Sequence, residues 1–280
     1  LLTLKDVAPD GSNLTTIGSL PGGIGAAVVN PNVVNSVIFA YAPNGSEFGI
    51  YQNSSISASG AIQLVPAQLD SVAMIQLTPD DKTIVFVASQ NGSSGLYTVS
   101  TAGGSPMYLA PADSASLSPD GSTIVFSQAT AAGEAILSIP TSGGGTTALT
   151  DGTFFDIDPQ FSKDGSMVVF SSDRNASGTG GPIGVCALSL SSHAFTYVTS
   201  DPTSAEMGPS FNATGTQISY IVQNGTPGLS GVYVCNADGS NPIQIYASDQ
   251  IGQSSYWTGS NGRGLGRSFP LFQRLRRRKR

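Results

Sequence analysis

One ten-residue pattern returns along this chain and limits what the chain can fold into. Leu77-Thr78-Pro79-Asp80-Asp81-Lys82-Thr83-Ile84-Val85-Phe86 recurs as Leu117-Ser118-Pro119-Asp120-Gly121-Ser122-Thr123-Ile124-Val125-Phe126 and as Phe161-Ser162-Lys163-Asp164-Gly165-Ser166-Met167-Val168-Val169-Phe170. Weaker copies end at Phe39 and Tyr220. The closing aromatics, at 39, 86, 126, 170 and 220, lie 47, 40, 44 and 50 residues apart. A period of this length marks a repeat architecture in which each unit buries its faces against its neighbours, and the chain has room for about six units.

Each unit reads as four short strands. An apolar strand A runs into a Pro-Asp-Gly-like turn, where Asp-Gly accepts the positive φ angles of a tight hairpin, and the Ile-Val-Phe run is strand B. Strand C carries a small apolar pair such as Leu96-Tyr97, Ile136-Leu137 or Val232-Tyr233. A Gly-rich turn, as at Ala102-Gly103-Gly104-Ser105 or Ala237-Asp238-Gly239-Ser240, leads into strand D. Strand A is placed near Gly25, Val72, Asp113, Phe155, Met207 and Gly252. Residues 1–19 match a C–D hairpin, because Val7 to Leu14 resembles Cys235 to Pro242. The expectation is an all-β, six-bladed propeller of four-stranded antiparallel blades, closed by pairing the N-terminal outer strands with the C-terminal inner strand around Tyr256-Trp257-Thr258. A sixth strand B is missing: Gly264-Leu265-Gly266-Arg267 stands in its place.

The Ser-Pro-Asp-Gly core with its Ile-Val-Phe run, the Leu-Tyr strand and the Asp238-Gly239-Ser240-Asn241 turn resemble the repeats of TolB-type six-bladed propellers. The resemblance covers residues 1–262 and is strongest over 71–150. It implies the fold, and two settings: a periplasmic Tol component whose propeller binds a lipoprotein partner, and non-catalytic propellers attached to peptidases of the prolyl oligopeptidase type. The amino-terminal α/β domain of the Tol component has no counterpart in these residues.

Charge divides the chain in two. Only 11% of residues are charged, against roughly 25% in an average soluble domain. Eight of the 12 basic residues fall in Arg263 to Arg280, so residues 1–262 carry 4 − 18 = −14 and the remainder +8. The expected organisation is one propeller domain, 1–262, and a disordered basic tail, 263–280. For the tail, three readings stay open: an altered or incomplete end to the reading frame, a natural disordered tail, and a polybasic binding element. No apolar run reaches 18 residues, so no transmembrane segment is expected.

Catalysis has little to stand on. No Gly-x-Ser-x-Gly elbow occurs. The only histidine, His193, sits at a C–D turn position, and Cys186 and Cys235, in the C strands of neighbouring units, read as small core residues with no disulfide between them. No metal site, cofactor or enzymatic activity is expected. Asp10, Asp80, Asp120, Asp164 and Asp238 occupy hairpin turns, where a short carboxylate bonds its own backbone. A second register, Asp70, Asp113, Asp156, Glu206 and Asp249, is spaced by 43, 43, 50 and 43 residues, each just before a strand A, and Asp158 adds a further charge. In an up-and-down blade the A–B and C–D turns share one face, while the B–C loops and D-to-A crossings share the other. The second register therefore lies on the crossing face, beside the channel mouth and the loops of most variable length.

These six acids are the candidate partner-binding residues, for a basic protein or peptide segment and with less support for a cation such as calcium. The expected function is a non-catalytic interaction scaffold, monomeric, periplasmic or secreted in a bacterium, with its targeting segment absent from the chain and no nucleic-acid partner. The alternative is the propeller part of a larger prolyl-oligopeptidase-like hydrolase.

Overall fold

The computed structural model describes residues 2–6, 15–20, 23–30, 32–33, 36–54, 57–174, 180–199, 201–247 and 264–265. Among these the chain is all β. After a hairpin of β1 (Leu2–Asp6) and β2 (Thr15–Leu20), five blades follow in sequence order. They are β3 (Gly23–Val29), β4 (Val37–Ala42), β5 (Phe48–Asn53) and β6 (Ile62–Leu69); β7 (Ser71–Leu77), β8 (Thr83–Gln90), β9 (Ser93–Ser100) and β10 (Met107–Pro111); β11 (Ser114–Leu117), β12 (Thr123–Ala129), β13 (Glu134–Pro140) and β14 (Thr147–Ala148); β15 (Ile157–Phe161), β16 (Met167–Arg174), β17 (Gly180–Ser189) and β18 (Phe195–Tyr197); and β19 (Ser204–Phe211), β20 (Gln217–Asn224), β21 (Gly231–Asn236) and β22 (Ile243–Ala247). Each blade is an antiparallel up-and-down sheet, and the first gains a fifth strand, β23 (Gly264–Leu265), on β3. The first unit, the weakest in sequence, is a full blade. The inner strand expected at Gly252–Thr258, Asp10 and Asp249 lie outside the described residues.

Burial explains the pattern. Phe39, Phe86, Phe126, Phe170 and Tyr220 are all fully or almost fully buried, as are the residues beside them in strand B. A strand between two neighbouring blades has no solvated face, so it reads as a continuous apolar run rather than an alternating one. Each such aromatic contributes about 2–3 kcal/mol by leaving water. The inner strands of successive blades touch in order, β3 to β7 to β11 to β15 to β19, while β14 and β18 are exposed throughout. Strand A is therefore innermost and strand D outermost.

Blades also lock through their turns. The A–B turns place Gly121 (φ +75°) where a Cβ would lie 2.6 Å from Cδ of Pro79, and Gly165 lies against Pro119 in the same way. On the C–D turns Gly103 packs on Leu64, Gly143 on Leu109 and Gly239 on Val198, each in the preceding blade. Gly104 N–H donates to Leu64 O at 3.3 Å. The glycines of the repeat thus supply both a positive φ and a close approach between units.

Candidate binding face

The turn aspartates do what their position demands. Ser118 Oγ donates to Asp120 Oδ1 at 2.5 Å, and Ser122 N–H donates to the same oxygen at 3.0 Å. Thr78 and Asp80, and Ser162 and Asp164, repeat the arrangement, and Asp238 accepts from Ser240. These donors, the hydroxyl first, hold the Asp120 and Asp164 carboxyls down at about 2. They stabilise hairpins on the turn face. His193 is exposed on that same face at φ +55° and donates its N–H to Ser189 O.

The opposite face carries the second register, and its members are used differently. Asp70, exposed, accepts from Gly92 N–H at 2.9 Å, fastening the D–A crossing to the B–C turn of its own blade. Asp113 is partly exposed at the equivalent crossing. Asp156 is fully buried, with Arg174 Nη2 at 2.6 Å from Oδ2 and Ser172 Oγ donating to Oδ1 at 2.6 Å. The Arg174 guanidinium also lies over the rings of Phe154 and Phe195, at 4.9 and 4.5 Å from their centroids, an arrangement that favours a cation by the ring quadrupoles. Glu206 is buried and accepts from Asp201 N–H at 3.3 Å. Burial pushes its carboxyl up, against hydrogen bonds from Thr199 and Asp201.

Asp158 stands apart. It belongs to the innermost strand of the fourth blade, at φ +55°, inside an irregularity where Ile157 pairs Ser171 and Gln160 pairs Val169. Its N–H donates to Ser114 Oγ at 3.0 Å, and Ser114 Oγ is 2.8 Å from Ser127 Oγ. Among the described residues its carboxyl has no hydrogen-bond or ion-pair partner, and burial pushes it up to about 6, although the residue keeps part of its surface open.

Five further acids of the described residues share this face without belonging to the register: Glu47 in the first B–C loop, Asp151 at the crossing into the fourth blade, and Glu134, Asp173 and Asp201. Glu134 is buried at the start of β13; Asp173, at the end of β16, accepts from Phe155 N–H at 2.8 Å, and burial followed by the Asp156 charge raises its carboxyl. Asp201 accepts from Thr203 and Ser204, which lowers its carboxyl. Within the five blades Arg174 is the one described basic residue on this face, since Lys82 and Lys163 belong to A–B turns; Lys5 belongs to β1. A signal for its pairing was present, because Arg174 is the sole basic residue between Lys163 and Arg263 and stands eighteen residues after the register acid Asp156. Among the described residues no three His, Cys, Asp or Glu side chains converge as a metal site, and no helix is long and apolar enough to cross a membrane. Cys186 and Cys235 are both free and buried, and burial raises their thiols to about 12 and about 11.

No family model matches the chain, and no curated protein matches it. Solved structures do. A protein assigned as a TolB from Agrobacterium tumefaciens superposes with a TM-score of 0.74 at 16% identity, over 96% of this chain and 98% of that one. TolB from Acinetobacter baumannii gives 0.70 at 19% identity over 92% of this chain, which spans 63% of that protein's length. Puromycin hydrolase gives 0.63 at 14% identity over 87% of this chain and 41% of the other. With the sheet order, the buried strand-B aromatics and the interlocked turns, these likenesses establish that the chain has the TolB-type β-propeller fold.

Proposed function

We propose that this chain is a non-catalytic interaction scaffold whose crossing face binds a basic segment of a protein or peptide. One observation carries the reading. Asp70, Asp113, Asp156, Asp158, Glu206, Glu134, Asp173 and Asp201 all lie on that face, and Arg174, the one described basic residue there within the five blades, is already committed to Asp156. A rim of one sign over a low-dielectric wall focuses its field outward and speeds capture of a positive partner. Because Asp156, Glu206 and Glu134 are buried, their accessible contribution comes from Asp70, Asp113, Asp158, Asp173 and Asp201 with the B–C loops around them. The six-blade count, with β1 and β2 completing a blade around an inner strand from 252–258, belongs to this proposal, as do the monomeric state and a periplasmic or secreted setting. The likeness to the TolB proteins supports the setting.

The test is binding of a lysine-rich decapeptide, followed by fluorescence anisotropy at several salt concentrations. The wild type should bind with an affinity that falls as salt rises, and the Asp70→Asn, Asp113→Asn, Asp158→Asn triple variant should bind at least tenfold more weakly. Equal, salt-insensitive binding by the two proteins would remove the reading.

A second reading rests on the likeness to puromycin hydrolase, of which this chain spans well under half. In it the propeller is one part of a larger hydrolase. A complete reading frame with an α/β domain and a serine nucleophile supports it; a stop soon after the last blade counts against it.

A further inference from the structure

We propose that the Asp158 carboxyl anchors a single cationic nitrogen of the partner, a lysine or arginine side chain or a free α-amino group, inserted into the channel from the crossing face. This deepens the proposed function and rests on its claim that the crossing face binds a basic segment.

The argument begins with place. Ile157-Asp158-Pro159-Gln160-Phe161 aligns with Met207-Gly208-Pro209-Ser210-Phe211 in the next blade, and the pairing skips the same two residues in each. The skipped positions of the first and second blades hold Gly25-Ala26 and Ala73. The skipped positions of these four innermost strands therefore hold glycine, alanine and proline, with Asp158 the one charged residue among them. Gly208 has φ +60° and Asp158 has φ +55°, so the fourth blade holds a side chain in a conformation for which glycine serves elsewhere. Asparagine and aspartate tolerate that region best, yet it remains less favourable than for glycine.

The second step is what the other acids already have. Asp70 accepts from Gly92, Asp156 from Arg174 and Ser172, and Glu206 from Asp201. Among the described residues the Asp158 carboxyl accepts nothing, and a desolvated carboxylate without a donor is unfavourable until one arrives. Desolvation is also the whole of its upward shift: neither Asp113 nor Asp156 nor Glu206, on the elements packed around it, contributes. The complement of such a group is a compact N–H donor carrying positive charge. A divalent cation is the poorer fit, because calcium takes six to eight oxygen ligands and no three His, Cys, Asp or Glu side chains converge among the described residues.

Two end-blocked hexapeptides that differ only in a central lysine or norleucine supply the test, measured against the wild type, Asp158→Asn and Asp70→Asn, with thermal melts confirming that each variant is folded. The wild type should prefer the lysine peptide by about tenfold, the scale of one charge-assisted hydrogen bond. Asp158→Asn should abolish that preference, and Asp238→Asn on the turn face, added as the control, should keep it. A preference that survives in Asp158→Asn but disappears in Asp70→Asn overturns the anchor while leaving the binding face in place. Failure of the wild type to bind either this lysine peptide or the decapeptide overturns both. Displacement of the lysine peptide by millimolar calcium in the wild type would assign the carboxyl to a metal instead, and overturns the proposal too.

Discussion

Asp158 in β15 and Gly208 in β19 occupy the same place in successive blades, at φ +55° and +60°, each ahead of a proline. The chain thus holds a charged side chain where its own next repeat holds a hydrogen atom.

The first prediction follows from that exchange. A carboxyl whose folded-state value, about 6, lies above its ordinary value of about 3.9 favours folding when protonated; its advantage is complete below about pH 4 and lost as pH rises through about 6. Asp158→Asn should therefore stabilise the protein at pH 7.5 by about 1–3 kcal/mol and leave it unchanged at pH 4. Urea denaturation of the two proteins at both values checks the sign and the pH dependence together.

The turn aspartates should behave in the opposite sense. Asp120 and Asp164 are held down to about 2, so their contribution is present above pH 4 and lost as pH falls through 2. Asp120→Asn should lower the melting temperature at pH 7, and the gap to the wild type should shrink steadily in melts taken toward pH 2.

Removing Arg174 should be costly. Arg174→Met leaves the fully buried Asp156 carboxylate without its counter-ion, and breaking a buried pair on one side costs about 3–5 kcal/mol. The double variant Arg174→Met, Asp156→Asn should recover much of that loss. A double-mutant cycle by denaturant unfolding measures the coupling; additive losses would show that the pair is not the source.

Two glycines separate conformation from contact. Gly121 and Gly215 have nearly equal φ, +75° and +70°, but a Cβ on Gly121 meets Pro79 and one on Gly215 meets nothing within 4 Å. Gly215→Ala should cost about 1 kcal/mol for the backbone alone, and Gly121→Ala distinctly more. Adding Pro79→Ala to Gly121→Ala should return part of the difference, and calorimetry of the three variants decides it.

The blade was legible because its central strand has no choice: Ile124-Val125-Phe126 lies between two sheets, and every side chain in it must be apolar. The turn aspartates were legible for a similar local reason, since Ser118 and Ser122 are within two residues of the carboxylate they bond. The spacing of Asp70, Asp113 and Asp156 placed all three on one face, but not what each does there. Asp156 is neutralised by Arg174, eighteen residues on and outside the repeat, whereas Asp70 caps a backbone amide. Periodicity reports where the chain crosses from blade to blade; the partner of a carboxylate depends on loops that do not repeat. The positive φ of Asp158 was equally hidden, because an aspartate before a proline is ordinary in any loop, and only its pairing gap beside Gly208 shows it to be an inner-strand residue.

The direction in which the turns lean bears on how the molecule comes into being. Gly121 rests on Pro79 and Gly165 on Pro119, while Gly103, Gly143 and Gly239 rest on Leu64, Leu109 and Val198. In every case the later glycine sits on the earlier blade. A chain made from its amino terminus therefore presents each new hairpin to a wall that has already emerged, and assembly can keep pace with synthesis.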